Sequence, residues 1–354
     1  MDHIAKIAAK LDDYGLDAML ITSQSGEWYA LGFHGEGMLL IVKDGGHYST
    51  DGRYIEAARD QVKGVELVCV GGGKSHLSLA KEYIQVHGLN NVGFESGAVT
   101  VDEHRRYAQE LPCILTPAQT LLDDLRAGKD EEEIEAMKKA QKITDDAFKA
   151  ILNFIRPGMT EQEVAARLVY EMLRLGAEKV AFDPIVAAGA NGSKPHAVPG
   201  SQVIEQGMFV TMDFGCKADG YCSDMTRTVA VGQPDEEMER VYQTVLAAQK
   251  AGINAARAGI AGKEIDAAAR RVIEEAGYGE YFTHSFGHSL GIDIHESPNA
   301  SPREEQEMPV GAVISAEPGI YIPGKCGVRI EDVLILKEGG CEDITRSPRN
   351  LIIL

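Results

Sequence analysis

The chain has 354 residues, 44% of them hydrophobic and 25% charged, with a formal net charge of −19; this is an ordinary globular composition, longer than one typical domain of ~100–200 residues, so two domains are expected. The acidity argues against a nucleic-acid partner, because phosphate binding needs a concentrated basic surface, and no apolar run approaches the ~18 residues of a membrane helix. Six cysteines (Cys69, Cys113, Cys216, Cys222, Cys326, Cys341) show neither a CxxC pair nor disulfide-rich spacing, so reduced thiols are expected, with Cys216 and Cys222 as small buried side chains.

The first segment, Met1 to Asp13, has the pattern of an amphipathic helix and lacks the uninterrupted apolar stretch of a secretory signal, so a cytoplasmic location is expected. Helix and strand signals then alternate to about residue 125. Residues 18–22, 37–42 and 65–70 read as buried strands, and 54–61 and 75–87 as helices. Gly71-Gly-Gly-Lys74 lacks the spacing of a phosphate cradle and reads as a flexible turn. A smaller α/β domain over residues 1–125 is therefore expected, with a boundary at Leu125–Lys129 and a second domain over 126–354.

A long helix is predicted over about 130–155. The next opens at Thr160, where Thr160 and Glu163 form a capping box in which each side chain satisfies a backbone N–H the other leaves free. Val164, Leu168 and Met172 make its apolar stripe and Gly176 ends it. Two further helices are predicted over about 234–256 and 264–276, and strands follow each pair. Helices outside and a mainly antiparallel, curved sheet inside make an α+β fold.

This second region is written twice. Gly207-Met-Phe-Val-Thr-Met-Asp213-Phe-Gly215 is answered by Gly311-Ala-Val-Ile-Ser-Ala-Glu317-Pro-Gly319, and each is followed by a glycine with a carboxylate four residues on, Gly220 to Asp224 and Gly327 to Glu331. Upstream, Arg156 matches Arg257, Gly176 matches Gly277, Phe182 matches Phe282, and His196-Ala-Val-Pro199 matches His295-Glu-Ser-Pro298. Ordered matches of this length indicate half-domains related by an internal pseudo-two-fold, which brings equivalent acids together.

Four carboxylates that converge in a dry site raise one another's pKa unless cations sit among them. Asp213 and Glu331 lie in apolar, strand-like runs, where acids are seldom left unpaired. Two divalent ions balance four carboxylates, and His288 is the expected nitrogen ligand. His288 and His295 are seven apart, on opposite faces of a regular strand unless Gly287 or Gly291 breaks the pleat. Oxygen-rich ligation with one imidazole favours Mn, Fe(II), Co or Mg over a thiolate-type zinc site. A pair of such ions generates a hydroxide near neutral pH and stabilises a tetrahedral intermediate, which is the chemistry of amide hydrolysis.

With Met-Asp213-Phe-Gly, Tyr-Cys-Ser-Asp224-Met-Thr-Arg-Thr, Gly-His288-Ser-Leu-Gly, Ala-Glu317-Pro-Gly-Ile-Tyr and Val-Arg-Ile-Glu331-Asp in order, the chain resembles the pita-bread metallopeptidases, in the branch of Xaa-Pro dipeptidases (prolidases) and aminopeptidase P. The likeness extends over the whole chain, residues 1–125 resembling that branch's creatinase-type N-terminal domain. The resemblance implies a homodimeric exopeptidase that cuts between an N-terminal residue and a following proline of small peptides, with a metal-bridging hydroxide as nucleophile and manganese as the favoured metal, ahead of Co, Fe or Zn. It implies that Asp224 and Glu331 bridge both ions, that Asp213 completes one site, and that His288 and Glu317 complete the other. Glu317 would also carry the proton from nucleophile to leaving amine.

The resemblance further implies that His196 and His295 hold the substrate and steady its oxyanion, although His196 also reads as an exposed loop residue. Arg329, two residues before Glu331, would orient a ligand carboxylate or hold Asp224, or make a surface ion pair of little worth. Tyr321 matches a position that supports substrate binding, or is a core tyrosine. Trp28 and His34 match positions that approach a partner's site in dimeric relatives. Some prolidases carry an arginine soon after the His-Glu motif where this chain has Asn299, with Arg303 further on, so dipeptidase and longer-chain aminopeptidase action both stay open. The alternatives are a methionyl-type aminopeptidase, a metal-free pita-bread binding module and a creatinase-like hydrolase; retention of all five ligand residues counts against the last two.

Overall fold

In the computed structural model, which describes residues 2–354, alternating helices and apolar strands build a six-stranded sheet from the first third of the chain. Met1, where the first predicted helix and domain begin, lies outside the described residues. The strands are β1 (Ala18–Ile21), β2 (Met38–Val42), β3 (Gly45–Thr50), β4 (Glu66–Cys69), β5 (Asn91–Phe94) and β6 (Ile114–Pro117), in the order β4-β3-β2-β1-β5-β6. β1 runs parallel to β5 and antiparallel to β2, and all four of its residues are buried, as a central strand covered on both faces requires. The expected helices span Ile55–Gln61 and His76–His87. One expectation is corrected: β4 is an edge strand with Glu66 and Cys69 exposed, so its apolar residues do not mark burial. The rings of Trp28 and His34 stack 4.7 Å apart.

The chain divides into two compact units, Met1–Arg126 and Ala127–Leu354. In the second, the paired helices span Glu131–Leu152 and Glu161–Arg174, then Glu236–Ala255 and Gly262–Glu275. The Thr160–Glu163 capping box is present, and Asp130 and Glu133 form another; the first helix stops at Asn153, short of residue 155. Val164, Leu168 and Met172 are fully buried.

The strands of the first copy are β7 (Lys179–Val180), β8 (Ile185–Ala188), β9 (Met208–Phe214), β10 (Cys216–Ala218), β11 (Tyr221–Cys222) and β12 (Met225–Val231). Those of the second are β13 (Gly287–Ser289), β14 (Glu296–Ala300), β15 (Val313–Ala316), β16 (Gly319–Ile322), β17 (Cys326–Arg329), β18 (Asp332–Lys337) and β19 (Gly340–Asp343). The antiparallel triple β8-β9-β12 corresponds to β13-β15-β18, with β14 and β19 added at the edges of the second. Each copy has its own core. Phe148, Leu168, Met212 and Phe214 belong to one; Val245, Ile265, Phe286, Ile314 and Leu334 belong to the other. The duplication in the sequence is thus a duplication of helix pair, strand triple and core, as an α+β pita-bread fold requires. Cys216 and Cys222 are buried, and none of the six cysteines is disulfide-bonded.

Candidate active site

Equivalent points of the two copies supply the four acids. Asp213 is the penultimate residue of β9 and Glu317 follows the last residue of β15; Asp224 and Glu331 immediately precede β12 and β18. Asp213 pairs across the sheet with Thr226 of β12 and Ile185 of β8. The copies meet at Thr226, whose carbonyl accepts the Glu331 N–H at 3.1 Å and whose hydroxyl donates to Glu331 Oε2 at 2.6 Å. From behind, Arg227 Nη1 donates to the Glu331 carbonyl at 2.5 Å and Nη2 to Asp332 Oδ1 at 2.6 Å, in a buried ion pair.

His288 and His295 do not share a strand. The chain turns between β13 and β14, which pair antiparallel as Ser289 with Glu296 and Gly287 with Ala300, with a register shift between Gly287 and Ser289. The hairpin, together with the irregularity between Gly287 and Ser289, brings the two rings edge to face at 4.5 Å. Gly287 is still required, since a Cβ there would collide with the Ser315 carbonyl. The Ser315 hydroxyl accepts the His288 N–H at 3.0 Å and donates to Glu317 Oε1 at 3.0 Å, so one side chain sets both residues. His288 Nδ1 reaches the Ser289 carbonyl at 3.2 Å, which leaves Nε2 facing Asp224 Oδ2 at 3.5 Å and Glu317 Oε1 at 3.4 Å.

The donor set fits divalent cations. Asp224, His288 and Glu331 each offer an atom, all within 4.8 Å of one another. Among the described residues, Asp213 Oδ1 and Asp224 Oδ1 are buried without a hydrogen-bond partner, a costly state for a carboxylate unless a cation takes the lone pair. Burial and then the neighbouring carboxylates push Asp224 and Glu331 well above the ordinary range, and burial raises Glu317 to about 7. Burial also lowers His288, favouring the neutral imidazole that metals bind.

Arg329 is buried rather than part of a surface pair, and it holds Asp213, not Asp224: Nη2 donates to Asp213 Oδ2 at 2.6 Å. Its Nε donates to the Thr226 hydroxyl at 3.0 Å and its Nη1 to Tyr321 Oη at 2.8 Å and the Pro195 carbonyl at 3.3 Å. Tyr321 lies behind Arg329, and its hydroxyl pairs with His284 Nε2 at 2.8 Å. Burial, with Arg329 nearby, pushes His284 down to about 3, so it stays neutral.

All five potential ligands line one cavity of about 530 Å³, together with His196, His295, Asn299 and Arg329. His196 and His295 are both exposed, so His196 is a loop residue and a lining residue at once. Tyr321 is not in the lining. Phe182, Pro184, Ile185, Pro195, Val198 and Ile294 form apolar walls. Sequence reasoning missed Thr226 and His284. Thr226 lies two residues after Asp224, a spacing that puts both on one face of an extended segment; nothing in the local sequence marks His284.

Repeated antiparallel halves that gather four carboxylates and an imidazole in one cleft define a metal-dependent hydrolase. The chain belongs to metallopeptidase family M24, whose family model matches residues 135–338, and the creatinase/prolidase N-terminal domain model matches residues 3–127. It is 42% identical over 353 residues to an uncharacterized peptidase of Bacillus subtilis, covering 99% of each chain. Among solved structures, an Xaa-Pro dipeptidase from Bacillus anthracis is 41% identical, with a TM-score of 0.96 over 100% of this chain and 99% of that one. An X-Pro aminopeptidase from Thermotoga maritima is 37% identical, with a TM-score of 0.90 over 96% and 98%. The protein is therefore a metal-dependent peptidase. No helix among the described residues is long and apolar enough to cross a membrane.

Proposed function

We propose that the protein is a dinuclear exopeptidase that hydrolyses the bond between an N-terminal residue and a following proline. The observation that carries this reading is the convergence of Asp213, Asp224, His288, Glu317 and Glu331 in one cavity, beside apolar walls and three further histidines, His196, His284 and His295. Asp224 and Glu331 would bridge two cations, with Asp213 completing one site and His288 and Glu317 the other; an oxygen-rich set with a single imidazole favours manganese. When bound, such a pair acidifies a water and polarises a carbonyl. Glu317 takes the proton at a carboxylate oxygen and delivers it to the proline nitrogen as the amide breaks, a role suited to a group raised to about 7. His196 and His295 hold the scissile carbonyl and the charge that develops on it. Arg329 fixes the Asp213 carboxylate. The tertiary amide before proline carries no N–H, so the ring side of the cleft needs shape rather than an acceptor, and Phe182, Pro184, Ile185 and Val198 supply it.

The same cavity favours substrates that extend beyond the proline. Arg329 is the single lysine or arginine in the lining; four of its five N–H donors are committed to Asp213, Thr226, Tyr321 and Pro195, and its charge is paired with Asp213. An Xaa-Pro dipeptide would bring its terminal carboxylate into this acidic cleft without a cation of the chain to pair it, whereas Xaa-Pro-Yaa carries that charge further out. Asn299, which lines the cleft, is neutral, and its Oδ1 accepts from the Ser289 N–H at 3.1 Å. The test is cleavage of Xaa-Pro, Xaa-Pro-Yaa and Met-Ala-Ser peptides by protein stripped of metal and reconstituted with Mn, Co, Fe(II) or Zn. Preference for Xaa-Pro-Yaa is expected; preference for Met-Ala-Ser overturns the proline assignment, and preference for Xaa-Pro overturns the length assignment alone.

A further inference from the structure

The segment from Gly189 to Gly200 carries His196 into the cleft, yet the histidine is exposed, so its position is set by the backbone on either side. Both ends of that segment are fastened to one side chain. Glu161, at the start of the Glu161–Arg174 helix, is fully buried. Its Oε1 accepts from the Ala188 N–H at 2.7 Å, where β8 ends and the segment begins. Its Oε2 accepts from the Gly200 N–H at 3.0 Å, four residues past His196. Between these points Asn191 Nδ2 donates to both oxygens, at 2.9 and 3.0 Å. Asn191 Oδ1 in turn accepts from Lys194 Nζ at 2.9 Å, two residues before the histidine. Backbone bonds from Glu161 N to the Gln202 carbonyl and from Gln162 N to the Gly200 carbonyl close the same seam.

We propose that Glu161 is a positioning residue for His196, acting on the reaction only through the segment it staples; this rests on the role assigned to His196 above. Each of these partners is a donor, so the site calls for an acceptor on both oxygens. A buried carboxylate at a helix N-terminus meets that need with charge-assisted bonds. Glutamine has the same shape but must turn an NH2 toward a backbone N–H or toward the Asn191 amide, which removes one fastening without opening a cavity. The distal end of the seam lies outside the metal-ligand cluster, so the staple sets substrate alignment rather than metal retention.

The experiment compares Glu161→Gln, His196→Ala and the double variant as manganese-loaded enzymes, with hydrogen exchange recorded over residues 189–200. Metal content is expected to match the parent, exchange in that segment to rise, and catalytic efficiency to fall about ten-fold or more, short of the about 10²–10³-fold cost of deleting an oxyanion contact outright. In the His196→Ala background the glutamine should cost nothing further, because the two act as a unit. Additive losses, or unchanged exchange over 189–200, overturn the proposal. Full activity in His196→Ala alone removes the role being positioned, and is distinguishable because it appears without any change at Glu161. Asn191→Ala, which deletes the bridging amide from the opposite side, carries the same expectations if Glu161→Gln does not fold.

Discussion

At the scale of single residues, the site is a set of charges that the protein interior disfavours. Asp224 and Glu331 are buried together and driven above their usual range, and Glu317 is raised to about 7. Such strain is tolerated where function uses it. Glu317→Gln keeps the side chain's shape and its contact with the Ser315 hydroxyl, and removes the group proposed to move the proton. Turnover should fall by about 10²–10⁴-fold, the range for a general acid–base, with circular dichroism and melting temperature close to the parent; wild-type turnover would remove Glu317 from the mechanism. The acids were legible because each sits in a short phrase repeated in the sequence. Glu161 was not, because its work lies in contacts with the segment at 188–200, and no local pattern encodes a partner that distant.

At the scale of elements, apolar runs revealed β1 and β2, and capping residues revealed the start of the Glu161–Arg174 helix. The same signal misled at β4, where residues of strand character lie at a sheet edge, and was silent at β3, whose His47, Ser49 and Thr50 are buried despite being polar. For β13 and β14, counting residues along one strand put His288 and His295 on opposite faces; the turn between the strands reverses that result. On its other side β13 lies against β15, with Gly287 in close backbone contact with Ser315. Gly287→Ala forces β13 and β15 apart at Ser315, the residue that orients both His288 and Glu317. A loss of about 1–3 kcal/mol is expected from overpacking, seen as a lower melting temperature, with a fall in activity; a parent-like melt and rate would show that the approach is slack.

For the whole molecule, duplication explains why the site has paired acids at matched points of two strand triples, each with its own core. It also sets the proton balance of metal uptake. In the metal-free protein the raised carboxylates hold protons that they would lose in water, and cations bind only the ionised form. Uptake at about pH 6, below the value near 7 for Glu317, should release at least one proton per chain, and affinity should strengthen as pH rises toward 7. Calorimetry in two buffers of different ionisation heat reads this directly, and zero net release would contradict it.

If this duplicated cluster of side chains binds two divalent cations, cleavage before proline depends on both. Metal-stripped protein titrated with Mn²⁺, while cleavage of an Xaa-Pro-Yaa peptide is followed by mass spectrometry, measures it most directly. Negligible cleavage is expected without metal, with a rise that levels off near two equivalents per chain. Undiminished cleavage in excess chelator, or full activity without a second equivalent, would contradict it.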